Sequence, residues 1–142
     1  MTFDTWTELN WLAVIAAALA YFVIGAVWYA PPVFGAMWMA AGGMTREQTE
    51  EGPGAAIFAV PLVGSLLSAV AIGMLAVASG TDTLSEGVVL GFVVAIGFAL
   101  AISLVTATFE STKPNPMLWG AVNAGYHVVG SLVAGAIIGA WR

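Results

Sequence analysis

The chain has 142 residues, of which 61% are apolar and 8% charged, with a formal net charge of −5 and a mean hydropathy of +0.97. So little charge cannot wet the outside of a soluble domain, where about a quarter of residues are normally charged, and lipid is the solvent that fits. Only three Lys and Arg disfavour nucleic acid or an anionic membrane surface as partner, and the absence of Cys removes disulfides, thiolate metal sites and thiol redox chemistry.

The first residues, Met1 to Trp6, lack the basic segment of a signal peptide, and the apolar run that follows is longer than a signal's core, so it reads as a retained helix. That run, 10–30, has about the 20 residues needed to cross a hydrocarbon core. Trp11 at one end and Trp28-Tyr29 at the other have the placing of interfacial aromatic belts. Pro31-Pro32 stops it, because proline lacks the N–H and clashes with the preceding turn. In the segment 33–51, Phe34, Met37, Trp38 and Ala41 recur at helical spacing, which predicts a short helix lying in the interface with Trp38 at headgroup depth. Thr45 and Gln48 have capping-box spacing, and Gly52-Pro53-Gly54 resets the chain for a second crossing.

The second run, 54–79, contains Pro61, where a kink is expected. The third and fourth runs, 84–109 and 117–141, follow links too short for anything but antiparallel neighbours. Trp119 and Trp141 bracket the fourth at about 33 Å, given a rise of 1.5 Å per residue. No run alternates with period two, and no Asp, Glu, Lys or Arg falls deep within a run. The fold class that follows is an all-α integral membrane protein: four transmembrane helices, up-down-up-down, with a short interfacial helix after the first, in a single domain spanning 1–142. Both termini then share one side. Arg46 and Lys113 in the loops against Arg142 at the end favour cytoplasmic loops and external termini.

Membrane helices associate by close packing, so small residues at four-residue spacing mark seams. The third run carries Gly87, Gly91, Ala95, Ala99, Ser103 and Ala107 in that spacing; the fourth carries Asn123, His127, Ser131, Gly135 and Gly139. Each stripe drifts about 40° per step round a straight helix of 3.6 residues per turn, which suits a right-handed crossing. With the link centred near Lys113 and equal rise in both helices, residues at equal depth have numbers summing to about 226. Ser103 would then face Asn123, Ala99 would face His127, and the glycines would coincide.

Candidate functional residues are the polar groups inside the runs. Tyr21, Ser65, Ser68 and His127 fall near one depth, with Ser103 and Asn123 nearer the loops. His127 is the sole histidine. As an intramembrane ionisable group it is a proton or ligand site; as a neutral imidazole donating to Tyr21, a serine or a carbonyl, it is a tie between helices. A metal site is disfavoured, since no Cys or carboxylate shares its depth. Asn123 and Ser131 flank it one turn either way and would orient the ring or simply join helices. Glu110 shares a face with Ser103 and Thr106 at the end of the third run, either at a pore mouth or as a solvated carboxylate beside Lys113. No nucleophile–base pair, phosphate-cradling loop or metal spacing occurs, so no catalytic residue, enzyme activity or cofactor is expected.

Several segments together resemble one small membrane family. They are Asn10-Trp11-Leu12-Ala13-Val14, Trp28-Tyr29-Ala30-Pro31 with Phe34-Gly35 and Trp38-Met39, Gly91-Phe92, Gly97-Phe98, Phe109-Glu110, Asn123-Ala124-Gly125-Tyr126-His127, and Trp141. The family is domain of unknown function 1761, and the resemblance covers nearly the whole chain. It implies a four-helix membrane protein of a bacterium or archaeon, multi-pass in the cell membrane, with no established activity. Family members often carry lysine after Phe-Gly, where this chain has Ala36.

The functional expectation is a non-enzymatic membrane protein that acts as a homo-oligomer and binds or passes a small solute or lipid, because four short helices leave little interior for a pathway within one protomer. The alternative is a structural or accessory subunit whose polar layer only fixes helix register. Its partners are the bilayer and further copies of itself; nucleic acid is not among them.

Overall fold

A computed structural model describes residues 3–45, 47–48 and 54–141. Most of these residues are helical, and no strand occurs among them. A 3-10 turn, Phe3–Glu8, leads into α1, Trp11–Trp28. Asn10 caps α1: its Oδ1 accepts from the Ala13 N–H at 3.2 Å, and its Nδ2 donates to the Trp141 carbonyl at 2.6 Å. One side chain thus ties the start of the first long helix to the end of the last.

Tyr29 and Ala30 break the chain, with Ala30 extended at φ −63°, ψ 140°. Pro31 and Pro32 then start a new helix instead of merely ending the old one. The first positions of a helix have no intrahelical partner for their N–H, so proline costs nothing there. The turn Pro31–Gly35 is π-helical, closed by the Gly35 N–H on the Ala30 carbonyl at 3.1 Å, and runs into α2, Ala36–Gly42. A side chain at Gly35 would strike the backbone of Tyr29 and Ala30. The Asn115 N–H donates to the Ala41 carbonyl at 3.0 Å, holding α2 against the start of the last helix. Thr45 and Gln48 form the capping box reciprocally: Thr45 N–H on Gln48 Oε1 at 3.0 Å, Gln48 N–H on Thr45 Oγ1 at 3.3 Å. The remainder of that expected segment, and the arginines Arg46 and Arg142 that enter the orientation argument, lie outside the described residues.

A 3-10 turn, Gly54–Phe58, precedes α3, Ala59–Ser79. Pro61 falls in the first turn of α3, where its missing donor is tolerated, and the irregularity comes just before it, at the change from 3-10 to α. Gly80, at φ 70°, terminates α3 in the left-handed conformation. Thr83 and Glu86 then form a complete capping box at the start of α4, Leu84–Phe109. Asn115 caps α5, Pro116–Ala140, by accepting from the Leu118 N–H at 3.1 Å.

α1, α4 and α5, together with the stretch Ala56–Ser79, are the four helices long and apolar enough to cross a membrane. α5 is the hub, packing on α1, α3, α4 and α2, while α1 also packs on α3. Burial follows that arrangement: 44% of the most apolar stretch of α5 is buried inside the chain, against 11% for α4. α3 meets α4 chiefly along Leu84–Val94, next to the Gly80 turn, and from there the two diverge.

The stripe of small residues on α4 does pack on α5, but α4 is not a uniform α-helix. Its middle, Ala95–Leu100, is π-helical. A π turn uses more residues for the same rotation, which offsets the drift of a four-residue spacing and keeps Ala95, fully buried, and Ala107 on the same seam. Gly87 lies between Gly135 and Gly139, Gly91 against the Ser131 carbonyl and Leu132, and Gly120 against Ala107 and the Ser103 carbonyl. The glycines of the two helices therefore coincide, but Ser103 faces Gly120 and not Asn123.

Candidate functional site

The seam of α1 with α5 has a different construction. Tyr21 lies over Gly130, Tyr126 over Gly25, and Trp28 over Gly125, so three large rings sit on glycines of the facing helix. The rings also meet each other. Tyr21 and Tyr126 stand edge to face at 5.3 Å between centroids, and Tyr126 does the same with Tyr29 at 5.5 Å. Edge-to-face pairs at that distance are the favoured aromatic arrangement.

Polar tips of the same rings reach across the seam. The Tyr21 hydroxyl is 2.9 Å from His127 Nδ1, 3.3 Å from the His127 carbonyl and 3.4 Å from Ser131 Oγ. Trp28 Nε1 donates to the Val122 carbonyl at 3.0 Å. Asn123 Oδ1 accepts from the Tyr29 hydroxyl at 2.7 Å and from Trp38 Nε1 at 3.1 Å, and its Nδ2 donates to the Trp119 carbonyl at 2.9 Å. The expected pairing of Asn123 with Ser103 is therefore not made: the Tyr29 and Trp38 donors occupy the amide oxygen, and the Ser103 carbonyl lies against Gly120.

Of the sequence candidates, Tyr21, His127 and Ser131 form one bonded group, and Ser103 joins them across a groove. Asn123 belongs to a second group one turn away with Tyr29 and Trp38. Glu110 is in neither. It lies in the α4–α5 link, where it accepts from the Thr112 N–H at 3.0 Å and pairs with Lys113 at 3.1 Å. A bond from the Thr112 hydroxyl at 2.5 Å, then the Thr112 N–H and Lys113, pull its carboxyl down to about 2. Lys113 in turn stands 4.5 Å from the Trp119 ring centroid. The Trp119 Nε1 is buried and has no hydrogen-bond acceptor among the described residues.

The groove opens where α3 and α4 diverge. It holds about 480 Å³; Leu75, Val94, Phe98 and Ile102 are among its walls, and Tyr21, Ser68, Ser103, His127 and Ser131 give it polar edges. No Asp, Glu, Lys or Arg lines it. The π-helical part of α4 supplies Phe98 and Ala99 to one wall.

Tyr29, Tyr126, Trp28 and Trp38 were not foreseen as part of this region. The available signal was the spacing Tyr21, Gly25 and Trp28 on α1 against Gly130, Tyr126 and Gly125 on α5, which alternates ring and glycine on both helices.

Four helices of membrane-crossing length and apolarity, all-α, with a buried polar seam and an uncharged groove, define a helical bundle of the membrane type. The family model for Protein of unknown function (DUF1761) matches residues 12–139, and the chain belongs to that family. No curated protein and no solved structure matches the chain.

Proposed function

We propose that the chain is a non-enzymatic, multi-pass protein of a bacterial or archaeal cell membrane that works as a homo-oligomer and binds or passes a small solute or lipid. The observation that carries this reading is the groove between α3 and α4, with hydroxyl and imidazole groups at the depth of mid-helix residues. Polar groups placed there cost free energy unless they are used or paired, and this groove leaves part of them on its surface. An up-down-up-down path is supported by the tight Gly80 turn and by the Asn10–Trp141 bond. The weakly buried α4 supports assembly, since an outward apolar face of that length is available to further copies. The sparse Arg and Lys favour external termini.

A second reading, an accessory subunit without transport, draws on the Tyr21–His127 and Asn123 bonds, which tie helices together whatever else they do. Native mass spectrometry from lipid nanodiscs, with flux recordings in liposomes, separates the two. The first reading expects more than one subunit and a flux or retained ligand that falls in His127→Ala. A silent protein whose subunit count is the same in wild type and variant favours the second, and a monomer without flux or ligand overturns the first.

A further inference from the structure

Resting on the binding reading above, we propose that the α3–α4 groove takes a neutral glycerolipid, an acylglycerol, with its ester carbonyl on His127 Nε2 and its free hydroxyls among Ser68, Ser103 and Ser131.

Hydrogen bonding round the histidine comes first. A neutral imidazole carries one proton, and the shortest contact of the Tyr21 hydroxyl is with Nδ1, at 2.9 Å, against 3.3 Å to the His127 carbonyl. With the Tyr21 hydroxyl donating to Nδ1 the ring proton lies on Nε2, the tautomer this site requires; with Nδ1–H donating to Tyr21, the hydroxyl would go to the His127 carbonyl instead. Ser131 Oγ, 3.4 Å away, is placed to donate to the Tyr21 oxygen. No described residue accepts from Nε2, and His127 is only partly buried and lines the groove. In that tautomer the series of neutral donors ends in the N–H of a residue that lines the groove.

Charge decides the class of head. With no ionisable carboxylate, ammonium or guanidinium in the lining, a phosphate or ammonium head would sit at mid-helix depth uncompensated, at a cost of several kcal/mol. A neutral head with a carbonyl acceptor suits Nε2–H, and three serine hydroxyls spread along both walls suit a head with hydroxyls of its own. Leu75, Val94, Phe98 and Ile102 offer an acyl chain an apolar track that is open at the side. The volume of about 480 Å³ lies within the usual range for a ligand site. Part of the wall is the π segment of α4, a local geometry that recurs at functional sites in helices.

The experiment uses the full chain in phosphatidylcholine nanodiscs and a monoacylglycerol carrying a diazirine and an alkyne on its chain. Light-induced labelling, mapped by mass spectrometry, is expected on the peptides holding 68–75 and 94–103, and excess monoolein should remove it. His127→Ala and Ser68→Leu should each cut labelling about tenfold, as expected when a bond is lost or a site is filled. Ser68→Leu leaves the Tyr21–His127 pair intact, so its effect is separate from any loosening of the bundle. His127→Gln, whose amide still donates, should recover most of the labelling. Equal labelling of wild type and both variants overturns the site. Competition by phosphatidylglycerol as strong as by monoolein overturns the neutral class while leaving lipid binding, and competition by a prenyl quinone but not by monoolein replaces the glycerolipid with another carbonyl compound. Liposome flux without any lipid labelling overturns this inference and leaves the function proposed above.

Discussion

The two seams that α5 makes, with α1 on one side and with α4 on the other, solve the same problem by opposite means. Against α4, glycine meets glycine and backbone touches backbone; no side-chain hydrogen bond runs between the two helices among the described residues. Against α1, three rings lie on glycines, and polar tips of Tyr21, Trp28 and the neighbouring Tyr29 bond to α5. Van der Waals fit alone holds the first seam; the second adds directional bonds. A backbone contact has no way to give, whereas a ring can turn. The difference teaches that small residues have two uses in one helix, as a bed for another backbone and as a socket for a side chain.

The sharpest way to break this comparison is Gly91→Leu. The new side chain would run into the Ser131 carbonyl and Leu132, which belong to the hub helix and cannot yield. We expect α4 to part from α5, at a cost of about 3 kcal/mol, the upper end of overpacking effects, read as a fall in thermal midpoint in detergent. A midpoint unchanged within error would show that the backbone contact is not what holds α4.

Gly130→Ala addresses the other seam with a single added methyl. Its Cβ would meet the Tyr21 ring, and a ring shifts where a backbone does not. The expected cost is about 1–2 kcal/mol, clearly less than for Gly91→Leu, by the same thermal measurement. A cost equal to that of Gly91→Leu would mean that Tyr21 is as fixed as a main chain, and the distinction between the seams would fall.

Asn123→Leu removes the acceptor of Tyr29 and Trp38 together and the donor to the Trp119 carbonyl. Interhelical hydrogen bonds in membranes are worth about 0.6 kcal/mol each on average, so the loss should be about 1 kcal/mol, and α2 should become more open to proteolysis. Proteolysis at the wild-type rate would show that the Asn115–Ala41 backbone bond alone holds α2.

The smallest effect is expected outside both seams. Glu110 has its carboxyl lowered from 4.5 to about 2 by Thr112 and Lys113. A group depressed in the folded chain contributes stability that is complete above its unfolded value and lost as pH falls towards its folded one. Its contribution should therefore stay constant above pH 4.5 and decline between there and about pH 2. In Glu110→Gln that part of the acid decline should vanish, while both seam variants keep it.

Much of this was legible in the sequence. Spans separated by charged links follow from the cost of charge in lipid, and the matched glycines of α4 and α5 follow from spacing alone. What escaped was the direction of aromatic side chains. Trp28, Tyr29 and Trp38 have the composition of an interfacial belt, and an indole N–H satisfied by a headgroup is indistinguishable in sequence from one satisfied by Val122 or Asn123. The π segment at Ala95–Leu100 escaped too, because no residue preference marks it; it arises from the demand that a stripe with four-residue spacing stay on one neighbour. The Ser103–Asn123 pairing inferred from equal depth misses by about one turn, because Ser103 meets Gly120 while the Asn123 oxygen is taken by Tyr29 and Trp38.

That α5 is the hub has a consequence for how the chain is made. On the multi-pass reading proposed above, the ribosome produces it after α1, α3 and α4, at about 5–20 residues per second. α1 and α3 can pair as soon as both have left the translocon, since they pack directly. α4 would then enter the membrane with its glycine face bare, touching α3 chiefly beside the Gly80 turn, until the 25 residues of α5 arrive. A nascent chain halted before Pro116 would therefore hold the α1–α3 pair while the glycine face of α4 still lacked the helix it packs on.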